Sequence, residues 1–318
     1  MALFQSKKIL SLIIFIIVLV GIIWIFQDHF IKISFFKKST NSSMIIANQD
    51  MDMSYLEKIE NFEIHEYSDN GKILSTINAD TYFSFNNSPI KLLNVRLKTF
   101  DDQQKEAVEL TSKNAEILKT KEIIFSGMVN IETKNNVYHE LESDSLTFHS
   151  DEGEITSNTN VLYQGERAKI KAEGMFMNID SDILLLKDSV NILHESGSNI
   201  DTSNLSINHS NGEKIYSSEN KVIYRSNESE ITANSGLIMD MNKNLTNLLG
   251  KVEIIEKTGT KIKTANLLID NSNGSEVYKT DQPTEYISVQ SNIKSNEMFF
   301  DTISKKLKLR GDVEAIYE

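Results

Sequence analysis

Cysteine is absent from the chain, so neither disulfides nor thiolate metal sites contribute to its fold. Only two prolines occur in 318 residues, which leaves the turns to asparagine and glycine. Clustered positive charge is missing too. A formal net charge of −12 excludes a general phosphate-backbone binder, whose affinity comes from grouped lysines and arginines, so no nucleic acid is expected as a partner. With 40% apolar and 25% charged residues the composition is that of a globular chain.

Catalytic chemistry is equally thin. None of His29, His65, His139, His149, His194 and His209 stands in an H-x-x-H or H-E-x-x-H spacing, so no metal and no cofactor is expected. The acid pairs Asp101-Asp102 and Asp151-Glu152 sit among turn-like residues and read as solvated turns. The glycines follow turns rather than a phosphate-binding loop. The chain is therefore not expected to be an enzyme.

What the sequence has is a repeat. A phrase apolar–x–small–x–x–apolar–x–apolar begins at Ile77, Leu110, Leu141, Ile170, Ile200, Ile231, Ile262 and Ile293, with gaps of 33, 31, 29, 30, 31, 31 and 31 residues. Alternation in Leu146-Thr147-Phe148, Val190-Asn191-Ile192 and Leu205-Ser206-Ile207 is strand-like, and Asp69-Asn70-Gly71, Asn211-Gly212 and Asn273-Gly274 mark turns. Each unit holds two strands. The second ends in x-Val-x-apolar, often after glycine, as in Gly127-Met128-Val129, Gly250-Lys251-Val252 and Gly311-Asp312-Val313. Pro283 stands near where one such glycine would fall, and since proline cannot donate to a ladder, a bulge or an edge is expected there.

The phrase breaks strand parity. Its first apolar position and its sixth and eighth would point to opposite faces of a regular strand. A bulge near the fourth or fifth position, or a strand passing from one packing surface to another, resolves this. Small residues at the third position (Ala79, Ser112, Ser143, Ala172, Thr202, Ala233, Thr264, Ser295) fit a tight corner. A sheet folded over a sharp crease, with two apolar walls, satisfies both facts. Sixteen strands at ~4.8 Å each make an array of roughly 75 Å with an open edge at each end.

One long hydrophobic run exists, from Ile9 to Phe26, interrupted only by Ser11 and Gly21. As a helix it spans ~27 Å, enough to cross a bilayer core. Ile9, Leu10, Leu12, Ile13, Ile14, Phe15, Gly21, Trp24 and Phe26 are its candidate anchor residues, with Trp24 placed for the interface. Lys7 and Lys8 put residues 1–8 in the cytoplasm, although Lys32, Lys37 and Lys38 on the far side oppose that orientation. The competing reading is a cleaved signal peptide, but no small-x-small site follows the run.

An N-terminal anchor, then Phe62-Glu63-Ile64-His65-Glu66-Tyr67-Ser68-Asp69-Asn70-Gly71-Lys72, Ile77-Asn78-Ala79-Asp80, Leu110-Thr111-Ser112-Lys113-Asn114-Ala115 and Phe125-Ser126-Gly127-Met128-Val129, together resemble the LptC family. The likeness runs from residue 1 to about 195. Residues 196–318, with Ile231-Thr232-Ala233, Gly250-Lys251-Val252, Asp281-Gln282-Pro283 and Leu309-Arg310-Gly311-Asp312-Val313, are similar to LptA/OstA-type domains. The expected organisation is a cytoplasmic tail (1–8), a transmembrane anchor (9–26), a tether (27–60), an LptC-like unit (61–195) and an LptA/OstA-like extension (196–318).

The resemblance implies an all-β antiparallel jelly-roll, or β-taco, behind one transmembrane helix. It further implies a periplasmic bridge component of lipopolysaccharide export, held in the inner membrane of a Gram-negative bacterium. Implied partners are lipopolysaccharide, the β-jelly-roll domains of an inner-membrane ABC transporter, and an LptA-like bridge or outer-membrane translocon joined through edge strands. The apolar positions of the repeat then become groove candidates: Val129, Leu146, Phe148, Val161, Met175, Met177, Val190, Leu205, Ile207, Val222, Val252, Leu267, Ile269, Met298, Phe300 and Val313. As residues alone they are equally readable as core, and the parity break leaves open which face looks inward. The methionines suit irregular acyl chains. The alternative function is a structural or adhesive β-solenoid without lipid transport, built as stacked parallel coils; a β-helical carbohydrate enzyme would need a carboxylate cluster that the sequence does not offer.

Overall fold

The computed structural model describes residues 55–67, 71–100, 103–120, 122–133, 140–149, 154–178, 183–209 and 212–317. The expected anchor at 9–26 and the acid pairs at 101–102 and 151–152 lie outside the described residues. Among the described residues no helix is long and apolar enough to cross a membrane.

Among the described residues twenty-three strands form one sheet, and every pairing is antiparallel. Stacked parallel coils, the architecture of the solenoid alternative, are not what the chain builds. Long strands come first: β1 (Glu57–Tyr67), β2 (Ile73–Ser84), β3 (Ile90–Phe100), β4 (Glu106–Ile117), β5 (Glu122–Thr133) and β6 (Glu140–His149). β1 starts ahead of the expected boundary at 61, because Lys58 and Ile59 pair with Phe83 and Tyr82. After β7 (Glu154–Ser157), β8 (Val161–Gln164), β9 (Ala168–Asn178), β10 (Ile183–His194) and β11 (Asn199–Asn208), short pairs alternate with long strands. These are β12 (Ile215–Ser218), β13 (Val222–Arg225), β14 (Ser229–Ala233), β15 (Leu237–Asp240), β16 (Leu245–Glu256), β17 (Lys261–Asp270), β18 (Val277–Thr280), β19 (Thr284–Ile287), β20 (Ser291–Ser295), β21 (Glu297–Asp301), β22 (Lys306–Arg310) and β23 (Glu314–Tyr317).

The short pairs explain the folding of the sheet. One half of β11 pairs with β13 and its other half with β12, while β17 pairs with β19 and β18 in the same manner. Each long strand therefore belongs to two walls and bends between them, and each short pair is one such strand broken at the bend. Twelve of the strands are halves of six, so the described residues present seventeen bent strands in succession. One wall carries β8, β13, β14, β19, β20 and β23; the other carries β7, β12, β15, β18, β21 and β22.

The bend is the bulge that the parity break calls for. Asn204 and Asn266, at the fifth position of their phrases, take φ of 50° and 46°, and the β10–β11 and β16–β17 pairings skip residues there. On their partner strands Asp188 of β10 and Gly250 of β16 take φ of 58° and 77°, and Gly127 on β5 and Gly311 between β22 and β23 take 78° and 69°. A left-handed residue turns the side-chain alternation over once, so apolar positions of opposite parity end on the same inner face. Pro283 falls in the break between β18 and β19, and β19 is paired on both sides, so the proline marks the crease rather than an edge.

The corner is tight, as the small residues require. Ala79, Ser112, Ser143, Ala172, Ala233 and Ser295 are all buried. The hydroxyls satisfy one another there, with Ser143 Oγ 3.0 Å from Ser157 Oγ and Thr284 donating to Thr264 at 3.1 Å. Two apolar clusters fill the space between the walls, one running from Ile77 to Leu146 and one from Leu141 to Phe300. Ile131 and Ile155 pack against both. The sheet continues through residues 195 and 196, since β10 and β11 pair along their whole lengths on either side of that point.

Candidate functional site

The space between the two walls is the one place in the described chain where many apolar side chains converge. Its floor is the crease. Its mouth lies where the turns of the two walls approach each other.

Of the sixteen groove candidates, fifteen point into this space. Val129, Leu146, Val161, Met175, Val190, Leu205, Ile207, Val222, Val252, Leu267, Ile269, Met298 and Phe300 are buried, and Phe148 and Met177 are half-buried against the clusters. Val313 differs, with 54% exposure. It precedes β23, which pairs only with β20 among the described strands, so no further strand covers it. The left-handed bend settles which parity faces inward.

Exposure changes along the mouth. In the earlier section the mouth-side residues Ile64, Ile90, Leu97, Phe148, Met177 and Leu184 are only partly covered, and Ile77, Leu110, Ile117 and Ile123 among them keep 5–9% exposure. In the later section the equivalent positions close: Ile207, Ile231, Ile254 and Ile269 are 1% exposed or less. Burying each such side chain contributes roughly 1.5–3 kcal/mol.

A set of polar side chains accompanies the closed section, and the apolar repeat does not announce them. Tyr163 on β8 reaches across to Tyr216 on β12, hydroxyl to hydroxyl at 3.4 Å, with the rings edge to face. Beside them Glu166 pairs with Lys214 at 2.6 Å. Further along, the hydroxyl of Tyr224 on β13 donates to Glu276 at 2.5 Å, just ahead of β18. Tyr278 on β18 meets Ser229 on β14 at 2.8 Å, and Lys305 pairs with Glu228. Each contact joins one wall to the other. Burial pushes the phenols of Tyr163, Tyr216, Tyr224 and Tyr278 above their ordinary pKa, so they stay neutral and hydrogen-bond as hydroxyls. Their signal in the sequence is a longer period: Tyr163 and Tyr224, and likewise Tyr216 and Tyr278, stand two repeat units apart.

The contacts run obliquely. β9, β10 and β11 intervene between β8 and β12, and β14 to β17 intervene between β13 and β18. The walls thus cross at an angle instead of facing strand for strand, as twisted sheets do.

An all-β, wholly antiparallel sheet folded over a crease, with an apolar interior along its length, defines a class of elongated two-walled proteins. Within that class the chain belongs to the LptC-related family of lipopolysaccharide assembly, whose family model matches residues 12–195 and 213–318. The second stretch covers most of the extension that resembles LptA/OstA-type domains, so the LptC pattern itself extends across both parts. No curated protein matches the chain. Membership places the chain in lipopolysaccharide transport at the cell envelope, as a bridge protein and not as a known type of enzyme.

Proposed function

We propose that this chain is a membrane-anchored periplasmic bridge that carries lipopolysaccharide by holding its acyl chains between the two walls of a β-taco. The observation that carries the reading is the half-covered row Ile90, Phe148, Met177 and Leu184, continuous with a buried apolar floor at Leu92, Leu146, Met175 and Leu186. Acyl chains laid along that row keep its apolar surface from water while the sugars remain outside the mouth. Met177 adapts to chains of irregular packing.

The anchor at 9–26 holds the bridge at the inner membrane, with residues 1–8 in the cytoplasm. Lipid arrives from the β-jelly-roll domains of an inner-membrane ABC transporter, which supplies the energy. The unit at 61–195 receives it, and the LptA/OstA-like extension at 196–318 conducts it onward. The two end strands support docking by strand addition. β1 pairs on one side with β2, and β22 pairs on one side with β21, each leaving its other edge free among the described strands. An LptA-like bridge or the outer-membrane translocon is the partner at the far end.

The test is photocrosslinking of the full-length chain to lipopolysaccharide from probes at Phe148 and Met177. A lipid adduct at both is expected, and absence of adducts at both refutes the groove.

A further inference from the structure

Among the described residues no backbone hydrogen bond closes the mouth of the later section. The turns at its rim each close within one wall, as His194 does by donating its amide to Ser198 O at 2.9 Å and Glu256 to Thr260 O at 2.9 Å. Side chains alone hold the rim shut. The ion pairs stand beside water, with the side chains of Glu166 and Glu228 47% and 46% exposed, and the hydroxyls of Tyr163, Tyr216, Tyr224 and Tyr278 lie buried just inside them. Opening such a contact exchanges it for hydration, and hydrogen bonds or ion pairs of this kind contribute only about 1 kcal/mol each. Behind them the walls meet through apolar side chains, among them Ile207, Ile231 and Ile269. An acyl chain inserted there replaces wall-to-wall contact with wall-to-lipid contact and leaves that surface dry.

We propose that the mouth between Glu166 and Lys305 is a gated seam, whose cross-wall contacts Tyr163–Tyr216, Glu166–Lys214, Tyr224–Glu276, Tyr278–Ser229 and Glu228–Lys305 part to admit lipid and close behind it. The earlier section, around Phe148 and Met177, is the standing receptacle; the later section is shut at rest. This deepens the lipid-bridge reading and rests on it. The seam acts as a valve: lipid advances only when the rim contacts give way, and the closed rim prevents it from leaving sideways into water.

The absence of cysteine makes the test clean. Glu166→Cys and Lys214→Cys are introduced together in the full-length chain and bridged with a short bis-maleimide. A small diazirine amino acid is placed either at Met177, in the receptacle, or at Met239, 1% exposed within the seam. Each form is mixed with purified lipopolysaccharide and irradiated, with the unbridged double variant as the folding control. Bridging is expected to leave the Met177 adduct intact and to lower the Met239 adduct by about tenfold or more, as holding a minor open state shut requires. An equal Met239 adduct in bridged and unbridged chains overturns the seam. So does a Met239 adduct missing from both while Met177 labels, since the later section is then permanent core. Loss of the Met177 adduct in the unbridged chain instead overturns the lipid-bridge reading itself.

Discussion

The backbone amide of Gly250 donates to the side-chain carbonyl of Asn266, 2.9 Å away across the crease between β16 and β17. The same bond recurs between β10 and β11, where the amide of Asp188 donates to Asn204 at 3.1 Å. In each case a left-handed asparagine both turns its strand and accepts the amide that the bulge has freed. Asparagine supplies the two properties at once, because it tolerates positive φ and carries an acceptor. Asn266→Gly keeps the bend and loses the acceptor, with an expected cost of about 1 kcal/mol. Asn266→Val loses both and is expected to cost about 3 kcal/mol. Urea denaturation of the three proteins checks the order.

Gly236 has φ of +112°, and a Cβ built there would stand 2.0 Å from the carbonyl oxygen of Ser218. Backbone cannot give way as a side-chain tip does. Gly236→Ala is expected to destabilise by roughly 3 kcal/mol or more, through forbidden conformation and clash together. A loss of that size, against about 1 kcal/mol for Gly259→Ala, where φ is +88° and a Cβ meets nothing within 4 Å, separates the clash from the cost of φ alone in urea denaturation.

The Asp270 carboxylate accepts from Lys279 at 2.7 Å and from the hydroxyl and amide of Ser272 at 2.6 and 3.0 Å. These bonds hold its pKa at about 2, below the ordinary 3.8, with Lys279 the largest cause. A depressed carboxylate stabilises fully above the unfolded pKa and loses that contribution as pH falls through the folded one. Stability is therefore expected to drop between pH 4 and pH 2, and Asp270→Asn to flatten that part of the curve. Lys279 is partly exposed, so the contribution is about 1 kcal/mol. Thermal unfolding against pH reads it.

Burial lowers the pKa of His194 below 6.5, Glu195 opposing and Arg167 assisting. Its Nδ1 accepts from the amide of Ser196 at 3.2 Å, which fits the neutral ring. The unfolded chain binds the proton more readily, so the contribution is complete above pH 6.5 and is lost as pH falls through the folded pKa. His194→Gln is expected to remove this slope while leaving the Asp270 step unchanged.

Val252 and Val313 stand two residues after equivalent glycines, Gly250 and Gly311, of two repeat units, yet one is 3% and the other 54% exposed. Val252→Ala is expected to cost about 2 kcal/mol and Val313→Ala less than about 0.5. Equal costs measured by denaturation would show Val313 to be covered in solution.

Much of this fold is legible in the residues. The spacing of Ile200, Leu205 and Ile207 contains the bend, because a strand cannot bury all three without turning over once. Asn204, between them, supplies the turn. The contacts across the mouth are not legible in that way. Tyr163 and Tyr216 lie 53 residues apart, and nothing in either neighbourhood names the other. Their meeting depends on the angle at which two twisted walls cross, a property of the whole sheet. The exposure of Val313 is likewise hidden from the local pattern, since it depends on which strands cover it, and among the described strands β23 pairs with β20 alone.

The oblique contacts also bear on how the molecule comes apart. An ordinary repeat array melts from its ends, because each unit touches only the next. Here Tyr224 of β13 is tied to Glu276 ahead of β18, and Glu228 to Lys305 beyond β21. Peeling away the last strands strips partners from residues far upstream, so fraying is penalised over several units at a time. Removal of residues after 270 is thus expected to loosen β13 and β14 as well as the new end, a long-range loss of amide-exchange protection that a nearest-neighbour chain does not show.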